Sequence, residues 1–162
     1  MLALPKDFSE KKKILPSQLD GDLQPSSADK DSKPPHLSCW VESLTTPEQA
    51  YNFLLENNPN SDKKLVLRLQ VNEIRKIIGI AGEQKVYPNL LDVIWVFLEK
   101  SVRNSCPGAK GHSGIIGGLF ESFLPNGLTV REAKNLRKYL RLKLAELASQ
   151  DCFCLEEDLL DK

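Results

Sequence analysis

Apolar residues recur at helical spacing in the last third of the chain. The stripe consists of Ala133, Leu136, Leu140, Leu144 and Leu147. In a helix with about 3.6 residues per turn these positions lie on one face, so the pattern predicts an amphipathic helix. The preceding segment 129–132 has the residues of a capping box, in which a Thr and a Glu side chain bond free N–H groups of the first turn. The helix is therefore expected to begin at Thr129.

A similar helix start stands nearer the N-terminus. Thr46, Pro47 and Gln49 have the spacing of a cap, a first-turn proline and the second half of a capping box. The predicted helix buries Ala50 and Phe53 and ends near residue 57, where asparagines and a proline follow.

Segment 61–82 permits two interpretations. Apolar residues at helical spacing predict a helix that begins at residue 61 or 62 and ends at Gly79. They are Leu67, Val71, Ile74 and Ile78. Residues 65–71 also alternate between apolar and polar side chains, which is typical of a strand.

A nearly unbroken apolar run follows Pro88. From residue 90 to residue 98 only Asp92 is polar, so we predict a buried, central helix that extends through Asn104. Residues 105–114 are rich in glycine and are expected to form a loop. Residues 115–124 are expected to form a short apolar helix.

These patterns together indicate an all-α fold, a single compact bundle of about five helices over residues 38–149. Residues 1–37 hold few large apolar side chains and many Lys, Asp, Ser and Pro, so we expect a disordered leader there. Residues 150–162 form an acidic and partly apolar tail. The chain is thus divided into a leader, a helical interaction domain and a tail.

Charge is distributed unevenly although the net charge is zero. Residues 38–150 carry fifteen Lys and Arg against eleven acids, and residues 151–162 carry one Lys against five acids. A mildly basic body with an acidic tail disfavours strong nucleic-acid binding, which usually needs a domain pI above about 9. The sequence shows no secretion signal, and its longest apolar run is far below the roughly 20 residues of a membrane span. We therefore expect a cytoplasmic or nuclear protein with free thiols.

Three groups of reactive residues are each incomplete. In the glycine loop 108–114, His112 follows the second glycine, where a phosphate-binding loop requires lysine. Cys152 and Cys154 have no second pair of zinc ligands in the sequence. Cys106 and His112 could act as nucleophile and base, but a single His in a glycine loop is typically solvated. We expect no catalytic residue, no metal, no cofactor and no enzymatic activity.

The polar side of the last predicted helix is basic. It carries Arg131, Lys134, Arg137, Lys138 and Arg141. Such residues can form a solvated face, dock an acidic partner or contact a phosphate backbone, and the lack of interleaved aromatic residues disfavours the phosphate contact. We hypothesise that the five residues bind a partner protein. A nucleic-acid-associated helical module is the alternative function.

The C-terminal tail mixes acidic and apolar residues. Its apolar side chains include Phe153, Leu155, Leu159 and Leu160. The tail can be a short linear motif that folds into a groove of a partner, or its leucines can pack back on the domain. Both interpretations stay open, and these four residues are candidate partner-binding residues.

Several landmarks between residues 44 and 147 resemble a known helical family. They are Tyr51 to Leu54, Leu69 to Ile78, Pro88 to Ile94 and Thr129 to Leu140. The pattern is similar to the C-terminal helical domain of RNA polymerase II-associated protein 3, which recurs in sperm-associated antigen 1 and in dynein-arm assembly factors. The glycine loop 107–114 would be an insertion into that pattern.

The resemblance implies a non-enzymatic adaptor or cochaperone-like assembly factor. Domains of this family dock on RuvB-like AAA+ ATPases and help to assemble large complexes, including axonemal dyneins. It implies that other proteins are the partners and that the domain holds no catalytic residues.

Overall fold

Helices and strands alternate along the protein in its computed structural model, which describes residues 3–5, 23–57, 63–82, 85–96, 110–150 and 152–154. In chain order the elements are β1 (Ala3–Pro5), α1 (Ser27–Asp31), β2 (Leu37–Trp40), α2 (Pro47–Asn57), β3 (Lys63–Leu67), α3 (Val71–Arg75), β4 (Gly79–Ala81), β5 (Lys85–Tyr87), β6 (Leu91–Trp95), β7 (His112–Gly117), a 3-10 helix (Glu121–Phe123), α4 (Val130–Ala148) and β8 (Cys152–Cys154). The fold mixes helix and sheet, so the predicted all-α bundle is wrong.

The described strands pair antiparallel in three sheets. In the central sheet β7 lies between β2 and β6, in a second sheet β3 lies between β1 and β8, and β4 pairs with β5. The register of the central sheet places Cys39 opposite Ser113 and Val93 opposite Ile115. Because side chains alternate along a strand, these four share one face, which we call the inner face.

The inner face of the central sheet and one side of α4 contribute to the same hydrophobic core. Leu37, Leu91 and Ile115 of the sheet are buried in one cluster with the leucine stripe of α4. The stripe consists of Leu136, Leu140 and Leu144, which are fully buried. The predicted last helix and its capping box are confirmed, because Val130–Ala148 is helical behind a Thr129 cap. The predicted helix at Pro47–Asn57 is confirmed as well.

The predicted central helix over residues 87–104 is wrong, because Leu91–Trp95 forms strand β6. Val, Ile and Trp are residues that favour a pleated, half-buried surface. Spacing alone cannot separate such a short apolar run from a buried helix. The same ambiguity affects residues 115–124, where Ile115 to Gly117 belong to β7 and only Glu121–Phe123 is helical.

The single helix predicted over residues 61–79 is also wrong. The segment divides into strand β3, a short helix α3 and strand β4. The alternating pattern is realised in part, because Lys63–Leu67 pairs with two other strands. Ile74 of α3 is buried in the main core. Because a helix this short is marginal alone, this tertiary contact helps to stabilise it.

Residues 23–37 of the predicted leader take part in the packing. Leu23 is fully buried in the main core. Asp29 of α1 accepts hydrogen bonds from the N–H and the hydroxyl of Ser38, both at 3.2 Å, and from the N–H of Ser26 at 2.8 Å. These bonds place α1 against the edge strand β2, where a helix protects backbone groups from pairing with another chain. Ordered packing therefore begins before the expected domain start at residue 38.

No helix in the described part of the chain is both long and apolar enough to cross a membrane.

Two glycines with positive φ allow a test of this packing. Gly117 has φ +112°, and a Cβ there would collide with the Leu90 carbonyl group, whereas Gly127 has φ +80° and no neighbour within 4 Å. We expect Gly117→Ala to lower the free energy of unfolding by about 3 kcal/mol or more, because strain and collision add. Gly127→Ala should cost only about 1 kcal/mol, from backbone strain alone. Chemical denaturation measures both, and equal costs would contradict the close approach of Leu90 to Gly117.

Candidate protein-binding surface

The N-terminus of α4 is held by a network around Glu132. The Thr129 hydroxyl accepts the Glu132 N–H at 3.2 Å, and Glu132 Oε2 accepts the Thr129 N–H at 2.8 Å. Glu132 Oε1 lies 2.9 Å from Nζ of Lys85 on β5. The hydrogen bonds from Thr129 and Lys85 lower the pKa of Glu132 to about 2, so its carboxylate is charged at neutral pH. The first turn of α4 is therefore fixed relative to the β4–β5 hairpin.

The five basic residues predicted to bind a partner lie together on α4. Arg131, Lys134 and Lys138 are exposed, and Arg137 and Arg141 are half-buried. With about 100° of rotation per residue, the five fall within an arc of about 120° on the side away from the leucine stripe. We call this arc the basic face of α4. It ends at Ala145 and Ala148, which are fully buried on the same side of the helix.

The basic face carries charge that the described part of the chain does not neutralise. Arg131, Lys134, Arg137 and Lys138 make no ion pair or hydrogen bond there, while Arg141 has a contact within the chain. The next cation, Lys143, differs because it pairs with Glu146 at 2.6 Å. Val130 begins the basic face with 88% of its surface exposed. The surface is thus cationic, with an exposed aliphatic residue at one end.

The tail residues are placed only in part. Phe153 lies in β8 opposite Val66 of β3, so its backbone joins a sheet. Leu155, Leu159 and Leu160 lie outside the described residues. The role of the tail in partner binding therefore stays a prediction.

The C-terminal end of the glycine loop packs closely against the segment that follows β2. The Gly111 N–H donates to the Thr45 hydroxyl at 2.8 Å, and the Gly111 carbonyl accepts the Val41 N–H at 2.7 Å. A Cβ at position 111 would collide with Thr45. His112 follows as the first residue of β7 and is buried, so the expectation that it is solvated is wrong. Its suggested partner Cys106 lies outside the described residues.

His112 belongs to an aromatic cluster on the outer face of the central sheet, opposite the inner face. Its ring meets that of Trp40 edge to face at 5.6 Å and that of His36 at 5.9 Å. Trp40 in turn meets Phe53 of α2 at 6.1 Å. Sequence analysis missed this cluster because His112 is far along the chain from His36 and Trp40. His36 and Trp40 are an even number of residues apart and therefore lie on one face of an extended segment. This spacing is the signal that could have revealed the aromatic face.

The environment of His112 favours the neutral imidazole. Burial, together with repulsion from His36, lowers the pKa of His112 to about 4, against a smaller opposing effect of Asp29. Its Nδ1 atom is buried and has no hydrogen-bond partner among the described residues. The ring therefore packs as an uncharged aromatic group at neutral pH.

The described residues bring together no group of three His, Cys, Asp or Glu side chains that could hold a metal ion. Cys39 is buried, with Sγ at 3.3 Å from the Ser113 hydroxyl, and burial raises the pKa of its thiol. A protonated, buried thiol is a poor nucleophile.

Comparison with family models, with curated proteins and with solved structures finds no match to this chain.

The pH dependence of stability tests the burial of His112. The unfolded imidazole binds a proton near pH 6.5 and the folded one only near pH 4, so stability should be full above pH 6.5 and fall as the pH is lowered. Between pH 7 and pH 4.5 we expect a loss of about 2 kcal/mol. His112→Phe, which keeps a ring without a titrating group, should remove this loss.

Denaturant titrations at several pH values measure the effect, and the window stops at pH 4.5 to avoid carboxyl groups such as that of Glu132. Identical profiles for His112→Phe and the unsubstituted protein would show that His112 is not the titrating group.

Proposed function

We propose that this protein is a non-enzymatic protein-binding module that docks an acidic segment of a partner on the basic face of α4. The observation that carries the proposal is a set of four cations that make no ion pair or hydrogen bond among the described residues, namely Arg131, Lys134, Arg137 and Lys138. Elsewhere on the described surface Lys85 pairs with Glu132 and Arg75 with Asp92, whereas Lys30, Lys33 and Lys110 are exposed and unpaired within the described part of the chain. Four unpaired cations therefore lie together on one helix.

The size of the basic face suits a short peptide segment. From Val130 to Arg141 the helix axis extends about 16 Å, which corresponds to three turns of a partner helix. A complementary segment would place carboxylates against the cations and an apolar side chain on Val130. Such charge patterns steer encounter and select partners more than they add affinity. The chain would then act as an adaptor that recognises acidic proteins.

Two features distinguish this proposal from nucleic-acid binding. Tyr139, the aromatic residue within the basic segment of α4, is half-buried and has Lys143 Nζ at 5.6 Å from its ring centre. It is therefore not a free platform for stacking a base. The aliphatic Val130 also suits a protein partner better than a phosphate backbone. Nucleic-acid binding is the outcome that would replace this proposal.

The particular partner is a prediction from the resemblance alone. Docking on a RuvB-like AAA+ ATPase, or a part in dynein-arm assembly, requires an acidic surface on that complex that fits the basic face of α4. The helical fold that the resemblance implied is replaced by the mixed fold described above.

Charge reversal on the basic face tests the proposal. We expect Arg131→Glu/Lys134→Glu/Lys138→Glu to lower partner affinity about tenfold or more, since each exposed ion pair contributes roughly 0.5 kcal/mol. A matched control is Lys30→Glu/Lys33→Glu/Lys110→Glu, which makes the same change in net charge at exposed positions outside α4. The control should bind the partner as the unsubstituted protein does.

The measurement is quantitative affinity purification from lysate with and without nuclease, followed by titration of each purified partner with the three proteins. Proteins that are lost only with the charge-reversed α4 support the proposal. Equal loss with the control variant would mean that net charge, and not the basic face, drives recovery. Nuclease-sensitive recovery with a steep salt dependence would replace the proposal by nucleic-acid binding.

A further inference from the structure

A pocket of about 120 Å³ opens between the inner face of the central sheet and α3. At its deep end lie Cys39 and Ser113, which are buried. At its mouth lie Val71, with 38% of its surface exposed, and the side chains of Glu42 and Arg68. The pocket therefore leads from the surface to the core beneath the central sheet.

The walls between mouth and floor are apolar. They are formed by Leu69, Ile74, Val93 and Ile115. A dry apolar cavity of about 150 Å³ is large enough for benzene, and a water molecule takes about 30 Å³. By the same measure this pocket has space for an aliphatic chain of about four or five carbons. Its lining favours burial of such a chain because apolar surface is removed from water.

The mouth offers a specific polar group. Arg68 binds the Glu42 carboxylate with two parallel hydrogen bonds, Nε to Oε2 at 2.9 Å and Nη2 to Oε1 at 2.6 Å. The planar guanidinium is thus already oriented for a carboxylate. Glu42 is the more exposed partner, with 44% of its side chain accessible against 36% for Arg68. A displaced Glu42 can therefore return to water at low cost.

The geometry points to a binding site for a small aliphatic carboxylate of about five carbons, which is independent of the protein-docking function. The alkyl chain would lie against Val93 and Ile115, and the carboxylate would take the place of Glu42 on Arg68.

Valerate is the probe for this site, and pentanol is the probe of equal length without charge. With the full chain we expect saturable binding of valerate with a Kd of about 1 mM, as for a ligand of this size. The methyl NMR signals of Val93 and Ile115 should shift during the titration. Arg68→Met, which keeps an apolar stem, should weaken valerate about tenfold and leave pentanol unchanged.

Two bulky substitutions locate the site. Val71→Phe at the mouth should reduce valerate affinity at least tenfold, whereas Val86→Phe, at an exposed residue of β5, should leave it unchanged. The wild-type methyl shifts locate the site even if Val71→Phe does not fold.

Three results would overturn the inference. They are no saturable binding of valerate, shifts that spare Val93 and Ile115, or equal affinity for valerate and pentanol.

Discussion

The fold depends on the close packing of the α4 leucine stripe against backbone. Leu136 and Leu140 lie so near to Gly79 and Gly118 that a Cβ at either glycine would collide with them. This contact brings α4 onto the central region of the molecule and fixes its rotation about its own axis. The leucines face inward, and on another side of the first turns Arg131, Lys134 and Lys138 are exposed, whereas Ala145 and Ala148 on that same side are buried. The candidate docking surface is therefore confined to the N-terminal part of α4.

The central sheet separates two environments with different consequences. Its inner face combines fully buried apolar residues such as Ile115 with the pocket beneath Arg68. Its outer face holds the rings of Trp40 and His112, and Trp40 meets Phe53 of α2. Strand Leu91–Trp95 is nearly all apolar although Trp95 is exposed, so its side chains do not alternate between apolar and polar and gave no signal of a strand.

Elements with local start signals could be predicted, and elements defined by pairing could not. Pro47–Asn57 and Val130–Ala148 were recognised because their capping boxes satisfy the N–H groups of the first turn with nearby side chains. For β6 and β7 the hydrogen-bond partners lie about 20 residues apart, as with Val93 and Ile115. The residues near each strand do not indicate its distant partner, so the apolar runs were assigned to helices.

The sequence by itself determined the long amphipathic helix and the grouping of Arg131, Lys134 and Lys138 on its polar side, because helical rotation depends only on position along the chain. The tertiary structure decided the mixed fold, the burial of His112 and the pairing of Arg68 with Glu42. His112 became a buried, neutral ring because Trp40 of β2 and His36 pack against it. Arg68 and Glu42 became the mouth of a pocket because β3 returns the chain beside the segment after β2. Burial and long-range proximity depend on how elements pack, and this is the information that no local pattern contains.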